Sequence, residues 1–407
     1  MAATEPATGS LPRERRLGLA LVILALMVEG FDLQTANLAG PSIMAAFGIT
    51  RAQLGPLLSA SLFGILVGAT LLAPLGDRYG RKRVVVIASA TYGLLSLAAA
   101  ASTSVEQLAV LRFLIGLGLG VVMPNGLAMA GALFEGPRQA SATAFAGIGI
   151  TLGGAVAGMT AARVLPAYHW QGLFVVGGVL PLIIAAIIAI ALREVVPATG
   201  NNAPRPLRAI TVILAPSLRA TTLIVWLMFV FIALNIHLLS SWIPLLMKGS
   251  GLSTSGAVLV TTGYHAGGVA GGVVASLWLH RGGWYSVAAF AGGAALTMLA
   301  LALLPVGGAA TVLLIACAGF FVTGIQNGVN GAASALYPPE NRATGLGWAL
   351  GIARIGAIMG PMIGSLAAIA GLDQGGHFFL IPAATLAIVL VLASLIARRA
   401  GHQPRPA

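Results

Sequence analysis

The sequence predicts an all-α membrane protein with twelve transmembrane helices in two pseudo-symmetric six-helix bundles, and three observations carry that reading. Of the 407 residues, 58% are hydrophobic and 8% charged, against roughly 25% charged in soluble chains. Apolar stretches of about 20 residues, the length a helix needs to cross hydrocarbon, recur twelve times. A polar, proline-rich stretch divides these into two sets of six. Glycine, at 54 residues, is about twice as common as usual, which suits helices that pack backbone against backbone in lipid.

The expected elements follow in order. Residues 1–16 form a cytoplasmic tail ending in Arg13, Arg15 and Arg16. Residues 13–25 mimic the start of a secretory signal, but Glu29 and Asp32 fall where its apolar core would have to continue. The segment 17–40 is therefore read as a retained first span. The second and third spans, 54–75 and 84–103, flank the basic loop APLGDRYGRKR at 73–83. Spans at 107–130, 140–164 and 171–192 complete an N-terminal bundle over 17–192. The stretch 193–217, rich in proline, arginine and polar residues, reads as a cytoplasmic linker. A C-terminal bundle over 218–397 holds spans at 218–246, 254–279, 284–305, 309–335, 343–370 and 376–397, and 398–407 is a cytoplasmic tail. ASATAFAGIGITLGG (140–154) and RATGLGWALGIARIGA (342–357) share an Ala-Thr pair and small-residue spacing. Internal repeats of this kind build many secondary transporters around a site between the halves.

The net charge of +12 does not indicate nucleic acid. With both termini inside, the outside segments hold only Arg51, Arg163 and Lys248, so the basic excess is the inside bias that sets orientation. One cysteine, Cys317, excludes an internal disulfide and a cysteine-rich metal site. No metal-ligand cluster, nucleophile elbow or phosphate loop occurs. A membrane-embedded enzyme, the rival class, would need a positioned nucleophile and base. No cofactor is expected beyond a proton as coupling ion, and the expected form is a monomer in the lipid bilayer of the inner membrane.

Eight of the ten acidic residues fall in tails, loops or span ends; Glu29 and Asp32 lie deep in the first span. Arg112 and Arg354 are the basic residues left within spans. Each such charge costs about 2.5–3.5 kcal/mol at mid-helix, so buried ionisable groups mark pathways by default. Glu29 and Asp32, three residues apart, share a helix face. By the rise per residue Glu29 lies about 18–20 Å beyond Arg16, and Arg354 about 18 Å into its span, whereas Arg112 is shallower. Two acids so close cannot easily both stay ionised in hydrocarbon, and a group placed that way can load and release a proton. Arginine stays charged and offers a planar fork matched to carboxylate. The inventory suggests a proton site beside an organic-anion site. Structural ion pairs between helices are the alternative reading, for Arg112 above all.

APLGDRYGRKR resembles the loop signature of the major facilitator superfamily, G-x-x-x-D-R-x-G-R-K, with Ala73 in place of the leading glycine. A merely basic loop would explain the arginines but not Asp77 or Gly80. The resemblance implies a gating loop of Asp77, Arg78, Gly80, Arg81 and Lys82. The matching place in the second half, LWLHRGGW, carries His280 instead of the acid. RFLIGLGLGVVMPN (112–125) is similar to the superfamily's fourth-span motif, and the fifth span lacks the Gly-Pro pair typical of antiporters, which leans towards uptake. EGFDLQTANLAGP (29–41), SSWIPLLMKGSGLS (240–253) and YPPENRATGLGWALGIARIGAIMGP (337–361) are similar to the first-, seventh- and eleventh-span signatures of aromatic acid:proton symporters. Glu29 stands where that family has aspartate, and the E-G-x-D-L-Q run resembles its 3-hydroxyphenylpropionate transporter branch.

That resemblance implies proton-coupled uptake of a small aromatic carboxylate, such as 3-(3-hydroxyphenyl)propionate, by alternating access. Glu29 and Asp32 become the proton-coupling acids, and Arg354 and Arg112 substrate-binding residues. Gln34, Asn37, His265, Gln326, Asn327 and Asn330 extend the candidate substrate site; the last three could hydrogen-bond a ring hydroxyl. Phe31, Trp242, Tyr264 and Trp348 could stack on the ring or simply pack. A superfamily carrier for another organic anion, or an efflux pump, is the alternative.

Overall fold

The computed structural model describes residues 13–134, 137–192, 212–216, 218–304, 308–334, 336–337, 342–373 and 376–401. Helices are α1 (Arg13–Phe47), α2 (Arg51–Val67), α3 (Leu75–Tyr79), α4 (Arg81–Ala100), α5 (Val105–Ala132) and α6 (Pro137–Ala191). The second half contributes α7 (Arg219–Gly249), α8 (Thr254–Gly282), α9 (Trp284–Leu303), α10 (Gly308–Ser334), α11 (Arg342–Ile369) and α12 (Leu380–Gly401). Among the described residues eleven helices are long and apolar enough to cross a membrane. One of these is α6, two helices joined at a kink, which brings the crossings to the twelve expected.

The kink is a departure from the expected loop at 165–170. Helical assignment continues through it, and the reversal is made at His169, whose φ of 53° and ψ of −163° are not helical. Helices also outrun the apolar segments: α1 begins at Arg13 and ends at Phe47, and α12 extends to Gly401. The hydrocarbon scan finds only the lipid-crossing part of a helix, whereas backbone hydrogen bonding continues into the interface. Most of the expected linker, 193–211 and 217, and the chain ends 1–12 and 402–407 lie outside the described residues.

Within the first half α1 packs on the first limb of α6, α4 on its second limb, and α2 on α5; in the second half α8 packs on α10, α7 on α11 and α9 on α12. Missing side chains set the closest approaches. A Cβ on Gly30 would collide with the Ile150 carbonyl and one on Gly153 with that of Met27, so α1 and α6 touch backbone to backbone. Gly64 and Gly116 do the same for α2 and α5. This is the packing that small residues permit in lipid.

The halves meet through α2 with α11, α6 with α8, and α1 with α7. Six spans separate the fifth from the eleventh, so the first two contacts are related as the sequence repeat requires. Polar contacts between halves concentrate at the end away from the Asp77 loop. There Arg51 and Asp373 form an ion pair at 2.6 Å. The Gly55 amide donates to Ser365 Oγ at 2.8 Å, Ser365 Oγ donates to the Arg51 carbonyl at 3.1 Å, and Ser59 Oγ donates to the Ile358 carbonyl at 2.8 Å. Ser255 Oγ donates to the Ala162 carbonyl at 3.1 Å on the other flank. Towards the Asp77 end a cavity of about 610 Å³ lies between the first limb of α6, α8 and α10.

Candidate functional site

Glu29 and Asp32 project from α1 with 2% and 0% exposure. Their fates differ. Asp32 accepts from Arg112 Nη1 on α5 at 2.9 Å, an ion pair whose members are 0% and 2% exposed. The Arg112 guanidinium also lies 5.8 Å from the Phe174 ring centroid, a distance at which a cation is held over an aromatic face. Glu29 makes no ion pair among the described residues, and its Oε2 is buried without a hydrogen-bond partner. Tyr92, 1% exposed on α4, lies within electrostatic reach of both acids.

Arg354, half-buried on α11, faces this pair from the other half. It acts electrostatically on Glu29 without an ion-pair contact. Among the described residues its hydrogen-bonding contact is long and soft, 3.9 Å from Nη2 to the Met123 thioether. The first half thus holds an ion-paired acid, whose Oδ1 still lacks a hydrogen-bond partner as does Arg112 Nε, and an acid in no ion pair; among the described residues the second half holds a guanidinium with no carboxylate partner. Arg112, expected to bind substrate, is in this state engaged by Asp32 within its own half.

His237 on α7 is within electrostatic reach of both Arg354 and His265. From sequence His237 had no readable arrangement. One turn after His237, Ser241 Oγ donates to Asn37 Oδ1 at 3.0 Å across the halves. Asn37 Nδ2 donates to Gln34 Oε1 at 3.0 Å, so this pair extends the acidic face of α1 into the closed end. His265 packs edge-on against Tyr264, with centroids 5.2 Å apart, while its Nε2 is buried and unpartnered.

On α10, Gln326 Nε2 donates to Asn330 Oδ1 at 3.1 Å and Asn327 Nδ2 to the Thr323 carbonyl at 3.2 Å. Asn327 and Asn330 line the 610 Å³ cavity with Thr151, Thr323 and Ser276; Gln326 does not, nor do the four buried charges. The aromatic candidates are occupied by packing. Trp242 stacks on Phe378 and donates to the Pro361 carbonyl at 3.2 Å, Trp348 stacks on Trp226, and Phe31 is 1% exposed.

The loop residues form one unit. Arg81 donates to Asp77 Oδ1 through Nη2 at 2.9 Å and Nε at 3.2 Å. Lys82 Nζ donates to the Ala189 carbonyl at 2.8 Å, fastening the loop to the end of α6. Arg78 lies over the Tyr79 ring at 5.2 Å. Gly80 has φ 97° and ψ 130°, a conformation that essentially requires glycine. Asn125, the last residue of the fourth-span motif, donates to the Ala73 carbonyl at 3.1 Å. The matching side chains of the second half, 279–282, lie outside the described residues.

Two helical bundles in polar contact at one end, with a cavity towards the other and opposite charges facing each other where they meet, have the architecture of a multi-pass membrane transporter. A sequence profile for the Major Facilitator Superfamily matches residues 22–361. The chain belongs to that family.

Among its relatives is the 4-hydroxybenzoate transporter PcaK of Pseudomonas aeruginosa, 33% identical over 421 residues with 92% of each chain covered. The 3-(3-hydroxy-phenyl)propionate transporter of Escherichia coli is 33% identical over 399 residues, covering 95% of this chain and 96% of that one. A gallate transporter of Pseudomonas putida is 31% identical, with 92% and 90% covered. The fold is similar to that of a bacterial homologue of the human lysosomal transporter Spinster, with a TM-score of 0.76 at 19% identity and 98% of this chain covered. It is also similar to that of a D-xylose-proton symporter, at 0.72, 15% and 93%.

Proposed function

We propose that this protein carries an aromatic carboxylate, 3-(3-hydroxyphenyl)propionate or a close relative, inward across the bacterial inner membrane together with protons. The termini and the Asp77 loop face the cytoplasm, in keeping with the basic residues at that end, so the conformation described is the inward-facing one. The observation that carries the reading is the unpaired Glu29 of one half set against the unpaired Arg354 of the other. Relatives that transport hydroxybenzoate, hydroxyphenylpropionate and gallate support the substrate class.

Charge balance supplies the coupling. With Glu29 ionised and no substrate, it balances Arg354, and the empty carrier can change state. With a proton on Glu29 and a carboxylate on Arg354, the site is again neutral. Loading only one of the two leaves a net charge to move through hydrocarbon, which is costly. Asp32, already balanced by Arg112, drops out of this count. Glu29 is therefore the acid that takes a proton from the outer solution and gives it to the cytoplasm, one for each substrate carboxylate. The two halves rock about the loaded site.

Purified protein in proteoliposomes tests this with radiolabelled 3-(3-hydroxyphenyl)propionate. Accumulation driven by an inward proton gradient, abolished by a protonophore, is the expected result. Accumulation unchanged without the gradient would overturn symport, and no transport of any aromatic carboxylate would overturn the substrate class.

A further inference from the structure

Nothing in the charge count uses His265. We infer that its Nε2 reads a hydroxyl on the substrate ring, so that the carrier selects hydroxylated aromatic carboxylates over their unsubstituted analogues. The inference rests on the aromatic-carboxylate reading above and adds to it the second point of recognition.

Three observations place His265 at the right spot. It is residue 12 of the 29 in α8, about 17 Å from the helix start and so near mid-membrane. It shares a helical stripe with Gly268, Val269, Gly272 and Ser276, three, four, seven and eleven residues on. All four line the 610 Å³ cavity; His265 is not itself in the lining but continues that stripe by one turn towards the membrane centre. Its neighbour in electrostatic reach, His237, is in turn in reach of Arg354, so His265 lies between the cavity-lining stripe of α8 and the guanidinium.

Packing does not account for the residue. The contact with Tyr264 is ring to ring, and it leaves both His265 Nε2 and the Tyr264 hydroxyl buried without partners. A buried polar atom without a partner calls for an explanation, and for the imidazole one turn from the cavity lining a ligand group that completes it is the explanation we draw. The cavity lining is mostly apolar and carries no charged side chain, its polar groups being Thr151, Ser276, Thr323, Asn327 and Asn330. Such a lining takes a hydroxylated ring and offers nothing to a second carboxylate. A phenolic hydroxyl both donates and accepts, so it satisfies Nε2 in either tautomer. A site built to bond a hydroxyl rejects the analogue lacking it, because its own polar group is then left unpaired.

The test is competition against radiolabelled substrate in proteoliposomes, with two pairs of competitors: 3-(3-hydroxyphenyl)propionate against 3-phenylpropionate, and 4-hydroxybenzoate against benzoate. Native protein should favour the hydroxylated member of at least one pair by about tenfold or more. His265→Leu should bring that preference within about twofold while the unsubstituted acid still competes. His265→Asn, which keeps a hydrogen-bonding group at shorter reach, should retain part of it. A preference undiminished in His265→Leu overturns the inference, as does its absence in native protein. Should the leucine variant fail to fold, an undiminished preference in His265→Asn overturns it equally. Native protein that transports no aromatic carboxylate would instead sink the functional reading itself.

Discussion

Asp32 and Arg112 join α1 to α5 at 2.9 Å, with 0% and 2% of their side chains exposed. An ion pair this deep contributes little net stability as a pair, but removing one member strands the other and costs about 3–5 kcal/mol. Asp32→Asn should therefore lower the thermal unfolding midpoint in detergent sharply. Adding Arg112→Gln should recover much of that loss, because no buried charge is left uncompensated. Equal destabilisation by the single and double variants would mean that the pair is not the structural tie described.

Glu29 has no such partner, and its replacement should read out differently. In the native carrier, loading a carboxylate requires a proton on Glu29. Apparent substrate affinity should then fall as pH rises, by up to about tenfold per unit where the empty carrier holds Glu29 ionised. Glu29→Gln mimics the protonated acid, so its affinity should be flat over the same range and binding should take up no proton. Proton uptake on substrate addition, followed in weakly buffered detergent solution, checks both. Retained uptake in Glu29→Gln would assign the proton elsewhere.

Arg354→Lys keeps the charge and removes the fork. If the substrate carboxylate is held by two parallel N–H bonds, lysine cannot reproduce them, and affinity should fall at least about tenfold, the range of one charged hydrogen bond. Calorimetric titration with the unlabelled acid measures this directly. An affinity within twofold of native would show that Arg354 acts as a point charge only.

The sequence revealed the spans and all four buried charges, because both are matters of composition along the chain. Pairing was out of its reach. The i, i+3 spacing of Glu29 and Asp32 puts them on one face, yet whether either meets an arginine depends on α5 and α11, arriving from 80 and more than 300 residues away. For the same reason His237 was unreadable: its neighbours Arg354 and His265 come from other helices. The kink at His169 left no mark either, since a positive φ is uncommon at any residue but glycine, and a lone histidine does not announce one. Gly80 was legible because a glycine that a basic loop does not need invites a backbone explanation, and its φ of 97° supplies one.

That backbone makes Gly80→Ala a sharp test of the loop. A side chain at φ 97° and ψ 130° is strained by about 1–3 kcal/mol. The loop relieves it only by moving, which pulls Asp77–Arg81 and the Lys82 bond to Ala189 out of register. Transport rate should drop several-fold with equilibrium substrate affinity unchanged, since the binding residues lie elsewhere. Stopped-flow counterflow beside equilibrium binding separates the two, and a normal rate would show the loop to be free of the conformational cycle.

The contacts that close the outer end set the resting population. Arg51–Asp373 is partly exposed, with side chains 34% and 8% accessible, so solvent screens it and its share is about 0–1 kcal/mol. Ser365 adds a buried link, accepting from the Gly55 amide and donating to the Arg51 carbonyl. Arg51→Ala with Ser365→Ala removes both, and a combined loss of about 1–2 kcal/mol moves a two-state ratio by roughly five- to thirtyfold. Spin labels at Thr103→Cys and Leu304→Cys, near the outer ends of α4 and α9 in a Cys317→Ser background, report the separation of the halves. The long-distance population should grow at the expense of the short one in the double variant. The Asp77 end should close as the outer end opens, because the halves move as bodies about the buried charges. A distance distribution identical to native would mean that these contacts follow closure and do not hold it.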